Sequence, residues 1–318
     1  MSKLIQLLIA FVFCSFCQQS VIAADLSIKK DYKLDKLGKV TYVIHGPNEA
    51  PSKQNQGFRN NPVLVKTSKG IVVIDPGTSI YTGELVVKKA REISGKPIVA
   101  VFNSHVHGDH WLGNHGIKKH YKNVVIYSHP KMKTLVEAGD GEMWIKAIMK
   151  RTEGMIKGTK VVGPNKTVRH GDKLQIGDIT FRIHHYDKAH TDHDIMVEIV
   201  EEKVLVCGDN LRNKNLSMFL SSFKGNLRAL DLGVKTRARV FVPGHGLSGD
   251  KSIVDDYRKF LTDLKGEVRK HFEAGLSDFE MKPKIIKSLD SYKDYANFDE
   301  NIGRLINLAY LEVENESF

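Results

Sequence analysis

Cysteine is nearly absent. The 318 residues include three, and two of these, Cys14 and Cys17, sit in a short apolar opening segment. Only Cys207 lies beyond it, so the rest of the chain has no internal disulfide and must hold by its core or by a bound metal. A membrane-spanning run is missing too. The apolar stretch from Leu4 to about Cys17 is about 14 residues long, against the roughly 20 that a spanning helix needs. Lys3 precedes it, and Val21, Ala23 and Ala24 follow, which is the layout of a secretory signal peptide. Residues 1–23 are therefore expected to be a signal peptide, cleaved after Ala23 or Ala24. That predicts a periplasmic or secreted chain with no stable membrane insertion. Phe13 and Phe16, standing before Cys14 and Cys17, exclude a lipoprotein site.

A third absence concerns charge. The net charge is +11, and loss of residues 1–23 removes only Lys3, leaving +10, yet no basic block is interleaved with aromatics. Segments such as "DDYRKFLTDLKGEVRKHFE" (255–273) mix both signs along a helical face. No nucleic-acid partner is expected. The positive balance suits solubility or attraction to an anionic surface. Repeats, low-complexity tracts and linkers are lacking as well. One domain over 24–318 follows, with a helical extension from about 249.

What is present alternates between strand and helix signals. "KVTYVIHG" and the pair of β-branched runs in "NPVLVKTSKGIVVIDPGTS" (61–79) predict strands, the latter a hairpin turning at "SKG". Residues 81–95 read as a helix ending at a glycine cap, and 97–104 and 123–130 as buried strands. Residues 131–157 carry helical spacing broken by "GDG" at 139–141. Four strand-like runs follow at 173–176, 179–185, 194–200 and 203–207, then a helix near 222–235 and a strand ending in "VPGHG". The order predicts an α/β fold with two mixed sheets face to face and helices outside.

The chemistry concentrates in "NSHVHGDHWLGN" (103–114). It places His105, His107, Asp109 and His110 where a strand runs into a helix. Alternation along an extended segment would point His105 and His107 to one side, and Gly108, free to take positive φ, would allow the turn. Asp109 and His110 would then face a second, nearby point. Imidazole and carboxylate are ligands that Zn²⁺ accepts. Further donors stand at later strand ends: His190 in "KAHTDHD", Asp209 in "VLVCGDN" and His245 in "VFVPGHG".

Together with "GIVVIDPG" (70–77), these motifs resemble the metallo-β-lactamase fold superfamily of binuclear metallohydrolases. The resemblance covers most of the chain after the signal peptide. It implies an αββα sandwich of two mixed β-sheets flanked by helices, and two Zn²⁺ ions per chain. His105, His107 and His190 would bind the first, Asp109, His110 and His245 the second, and Asp209 would bridge them. Asp109 would also orient the nucleophile, a bridging water whose pKa falls from 15.7 to around 7 on zinc. The implied activity is that of an exported hydrolase of a small carbonyl substrate: an ester, lactone or thioester. Alternatives are a β-lactamase of the all-histidine type, a mononuclear iron persulfide dioxygenase, and a non-catalytic metal-binding protein.

One departure is His193, three residues after His190, which stands as a pocket-lining residue or a rival ligand. Asp75 is expected to brace a ligating histidine, and Cys207 to be a buried structural thiol. His115, His120, His129 and His170 read as surface or hydrogen-bonded residues. His184 and His185, adjacent on a strand, point to opposite faces.

Overall fold

The computed structural model describes residues 26–216 and 219–318, so the expected signal peptide lies outside the described residues. Two sheets are stacked face to face. The first runs in chain order through β1 (Asp35–Lys36), β2 (Thr41–Val43), β3 (Val63–Lys66), β4 (Ile71–Ile74), β5 (Ile98–Phe102), β6 (Val125–Ser128) and β7 (Lys166–Thr167). The second has the order β12-β11-β10-β9-β8, built from β8 (Lys173–Ile176), β9 (Ile179–His185), β10 (Ile195–Ile199), β11 (Val204–Arg212) and β12 (Val240–His245). Both are mixed: β4 to β7 pair in parallel after an antiparallel start, and β11 and β12 are parallel in an otherwise antiparallel sheet.

Period-2 runs of Val and Ile make these strands, because branched side chains suit a pleated surface buried on one side or both. Val43, Val63, Val72 and Phe102 of the first sheet meet Phe181, Ile183, Val197 and Val206 of the second, all buried. Phe102 and Phe181 stack across the gap with ring centroids 5.5 Å apart. Each such side chain contributes about 1.5–3 kcal/mol by leaving water. Helices α1 (Ile80–Ile93), α2 (Gly108–Trp111) and α3 (Asn114–His120) lie in the first half, followed by α4 (Pro130–Leu135) and α5 (Gly141–Arg151). The second sheet is covered by α6 (Phe223–Val234), α7 (Lys251–Glu273), α8 (Asp278–Ser288) and α9 (Phe298–Asn315), whose apolar stripes bury Leu230, Leu264, Val268, Ile285 and Ile306. The result is the expected αββα sandwich. No helix among the described residues is long and apolar enough to cross a membrane.

Two local expectations change, and a third holds. Helix α1 starts at a Ser79–Thr82 capping box, but it ends at Ser94, and Gly95 takes no left-handed conformation. The "GDG" break is real, carried by Gly139 at φ 110°. Strand β11 does not stop at 207. It continues to Arg212 through a register irregularity at Gly208, whose φ of 52° lets the strand bend. Asp209 therefore stands inside the strand rather than at its end.

Candidate metal centre

Strand β5 ends at Phe102, and residues 103–107 form a bend before α2. His105 and His107 thus converge through the bend, not through strand alternation. They present different ring atoms: His105 turns Nε2, and His107 turns Nδ1, toward the same space. Gly108 is also needed for a different reason than expected. Its φ is not positive. A Cβ there would lie 2.8 Å from the Trp144 Cβ, so glycine is what allows α5 to pack on the loop. The fully buried Trp111 pins the loop from below, its indole N–H donating to the Val106 carbonyl at 2.7 Å.

Two groups of donors result. His105, His107, His190 and Asp209 offer ligand atoms within 4.8 Å of one another, and so do Asp109, His110 and His245. Asp209 reaches both groups with different oxygens. Its Oδ2 lies 3.4 Å from His190 Nε2 and 3.8 Å from His105 Nε2, while its Oδ1 lies 3.2 Å from His110 Nε2 and 3.3 Å from His245 Nε2. Asp109 Oδ2 completes the second group, 3.4 Å from His245 Nε2. Gly244 makes room for this: a Cβ there would fall 1.9 Å from Asp209 Oδ1.

The outer ends of the rings are fixed. Asp75, at φ 54°, accepts from the Ser104 N–H at 2.7 Å and the Ser104 hydroxyl at 2.6 Å, and its Oδ2 lies 2.8 Å from His110 Nδ1. The Ser104 hydroxyl in turn meets His105 Nδ1 at 2.9 Å. His245 Nδ1 donates to the Arg59 carbonyl at 3.0 Å. These contacts hold His110 and His245 through Nδ1 and turn Nε2 of both toward the centre. His193 is not in either group: its Nε2 accepts from the Val106 N–H at 3.3 Å and its Nδ1 meets Asp192 Oδ1 at 2.9 Å. It braces the histidine loop.

The donor set fits a metal. His105 Nε2, His110 Nε2, His245 Nε2 and Asp209 Oδ1 are buried without a hydrogen-bond partner, which costs free energy unless something occupies the space between them. Sequence reading missed Arg212, three residues after Asp209, whose guanidinium pairs with Asp209 Oδ2 and with Asn215 at 2.6 Å. It also missed Arg59. Only the i,i+3 spacing of Arg212 on a strand that bends hinted at the first.

Burial, above all, pushes His107 and His245 down to about 4 and holds His105 and His190 well below the ordinary imidazole range. For His110 burial works the same way, but Asp209, Asp75 and Asp109 outweigh it and hold its pKa well above that range. Burial opposes ionisation of Asp209 and Asp109 too, but Arg212 beside the former and His110 beside the latter keep both below the usual carboxylate range. In the metal-free protein at neutral pH, His110 is thus the one protonated donor. Filling the Asp109–His110–His245 group is expected to displace about one proton, and its affinity falls as pH drops below the His110 value. Zn²⁺ titration calorimetry in two buffers of unequal ionisation enthalpy measures this. No proton release at pH 7 would contradict it.

The other histidines named from the sequence lie outside both donor groups. His120 and His170 are exposed, His115 is half-buried, and His129 stacks on His185 at 4.3 Å. His184 and His185 diverge, to Glu198 at 2.8 Å and to the Asp194 carbonyl at 2.8 Å. Cys207 is buried in the core, where desolvation pushes its thiol pKa up.

A two-sheet sandwich with a five-histidine, two-aspartate cluster at one edge defines a metallohydrolase-type architecture. The chain belongs to the metallo-beta-lactamase superfamily, whose family model matches residues 56–245. Hydroxyacylglutathione hydrolases of Francisella tularensis, from subsp. holarctica and subsp. tularensis among others, are 24% identical over 159 residues. The match covers 50% of this chain and 50% of theirs, so the chain spans about half the length of these curated relatives. Among solved structures, a metallo-beta-lactamase from Pontibacter korlensis superposes with a TM-score of 0.59 at 17% identity, over 73% of this chain and 99% of that one. A stereoselective inverting sec-alkylsulfatase from Pseudomonas sp. gives 0.64 at 17% identity, over 88% and 50%. At these identities the structural likeness is one of fold.

Proposed function

We propose that this chain is a zinc-dependent hydrolase, holding two ions, that cleaves a small ester, lactone or thioester. The observation that carries the reading is Asp209, a carboxylate whose two oxygens face two separate donor groups. Bound divalent ions would supply a water-derived nucleophile at neutral pH and would polarise the substrate carbonyl. The rest falls to the chain. Asp109, 14% exposed at its side chain, is positioned to accept a proton or hydrogen bond from an incoming water. Asp75, Ser104 and the Arg59 carbonyl keep the rings from rotating. Trp144 and Phe219 flank His107 with centroids 5.0 and 5.1 Å away, an aromatic wall against which an acyl chain can lie out of water. Similarity to hydroxyacylglutathione hydrolases supports a thioester substrate.

A bridging carboxylate adds negative charge between the ions, which suits ester-type leaving groups better than a departing amide nitrogen. Zinc-loaded protein should carry about two ions per chain. Its kcat/KM for a glutathione thioester, activated ester or lactone is expected to exceed that for nitrocefin by about tenfold or more. Cephalosporin turnover near 10⁶ M⁻¹s⁻¹, well inside the usual enzyme range, with ester-type substrates behind it, would transfer the chain to the β-lactamase reading. One tightly held iron would transfer it to the dioxygenase reading.

A further inference from the structure

A second arrangement of reactive side chains stands apart from the seven donors, where the first sheet meets the loop after β12. Asp35 of β1 pairs with Val43 of β2, two residues before His45. Its Oδ2 lies 3.1 Å from His45 Nδ1, and the other ring nitrogen, Nε2, lies 2.9 Å from the Ser248 hydroxyl. A backbone group sets the tautomer. The Ser248 N–H, which can only donate, reaches His45 Nε2 at 3.1 Å. Nε2 is therefore the lone-pair nitrogen beside the hydroxyl, and Nδ1 carries the proton that it donates to Asp35. The N–H alone would tie the ring to the loop, so the hydroxyl is surplus to a tether. Hydroxyl, imidazole and carboxylate follow one another within the roughly 2.6–3.2 Å that a serine nucleophile, its base and the base's orienting group need. Lys33, 2.7 Å from Asp35 Oδ1, keeps that carboxylate ionised below its usual range. Ser248 is placed by the backbone around it. Gly249 and Phe241 exchange hydrogen bonds of 2.8 and 3.1 Å, and Asn213 Nδ2 donates to the Leu247 carbonyl at 2.9 Å. His45 and Ser248 are half-buried, not sealed. A cavity of about 260 Å³ adjoins them, lined by Gly46, which follows His45, by Leu247, which precedes Ser248, and by Asn48, Asn213, Lys214 and Gly246.

We propose that Ser248, His45 and Asp35 form a second, metal-independent catalytic site, which cleaves a small carboxylic ester through an acyl-serine intermediate. Ser248 Oγ bonds to the carbonyl carbon while its proton passes to His45 Nε2. The ester C–O bond breaks, and the alcohol leaves with that proton. Water then attacks the acyl carbon and gives one proton to His45. The acid departs, and the proton returns to Ser248 Oγ. Asp35 touches no substrate. It is a positioning residue that holds the ring and balances its charge while it is protonated. Lys214 is the cation in the cavity lining, where an ammonium can stabilise the oxyanion. Pockets for drug-sized ligands run about 300–1,000 Å³. This smaller cavity fits a short acyl group, with the exposed Leu247 as its apolar contact.

The test treats the zinc-loaded protein with a fluorophosphonate probe. Ser248 Oγ is expected to displace fluoride, and peptide mapping by mass spectrometry should find one adduct, on Ser248. His45→Gln should slow labelling on the order of a hundredfold or more, and Asp35→Asn by about tenfold or more, since both weaken the base. A hydroxyl that only closes a loop would label at a rate indifferent to either change. Ser248→Ala should abolish the adduct. It should also lose the same share of p-nitrophenyl acetate turnover as the probe-treated parent, with zinc content unchanged in both. Circular dichroism checks that each variant is folded. If the metal centre cleaves no ester or thioester, the reading of that centre fails by itself, and the Ser248 adduct still decides here. No adduct on Ser248 in the folded parent, or labelling just as fast in folded His45→Gln, overturns the second site.

Discussion

Asp109→Asn is expected to leave the protein folded and to lower kcat/KM on the order of a hundredfold or more. The change keeps the size of the side chain and removes the charge. Asp109 is the acidic member of the second donor group, and its Oδ2 lies 3.4 Å from His245 Nε2 and 3.9 Å from His110 Nε2. An amide is a poor ligand beside two imidazoles, so zinc content should drop from about two ions toward one per chain. Supporting residues alone typically change metal affinity or activity by about 10–100-fold, so a ligand that also faces the incoming water should cost at least as much. Circular dichroism and metal analysis separate a lost ion from a lost fold. Near-normal turnover with both ions retained would end the assignment of Asp109.

The second large effect is expected at Asp75. Asp75→Ala leaves the Ser104 N–H and hydroxyl and His110 Nδ1 without their acceptor, all in a buried setting. Each stranded group costs about 1–3 kcal/mol, and alanine at φ 54° adds roughly 1–2 kcal/mol of backbone strain. Stability should fall by several kcal/mol in total, so Asp75→Asn serves as the milder companion. It keeps an acceptor and tolerates the left-handed backbone. In that variant zinc affinity of the second group is expected to weaken by about 10–100-fold, since His110 is no longer held in one tautomer by a charge. Equal zinc affinity in Asp75→Asn and the parent, by competition with a chelator, would show that Asp75 is only a turn residue.

Much of this was legible in the residues. The strand runs of Val and Ile are set by local periodicity, which is why β3, β4, β5 and β9 fall where they were expected. The donors were legible because four of them crowd into residues 105–110 and because Asp209 and His245 stand in apolar runs. Three things were not. The roles of Gly108 and Gly244 depend on what approaches them, Trp144 and Asp209, and such approaches come from distant chain segments. His193 stood as a pocket-lining residue or a rival to His190, and the structure makes it neither a ligand nor free, since the Val106 N–H and Asp192 claim both ring nitrogens. Arg59 carried no signal because its part in the site is a backbone carbonyl, which any residue type would supply.

Strands β11 and β12 run side by side in parallel, with Gly208 opposite Pro243 and Arg212 opposite His245. The separation of Asp209 from His245 is thus written in backbone pairing, not in the loops. A slip of β11 by one position would turn Asp209 to the wrong face and leave His245 without it. The segment between these strands can therefore change in sequence without moving Asp209 relative to His245. What a descendant of this protein can change cheaply is its appetite; what it must copy is a ladder of peptide bonds.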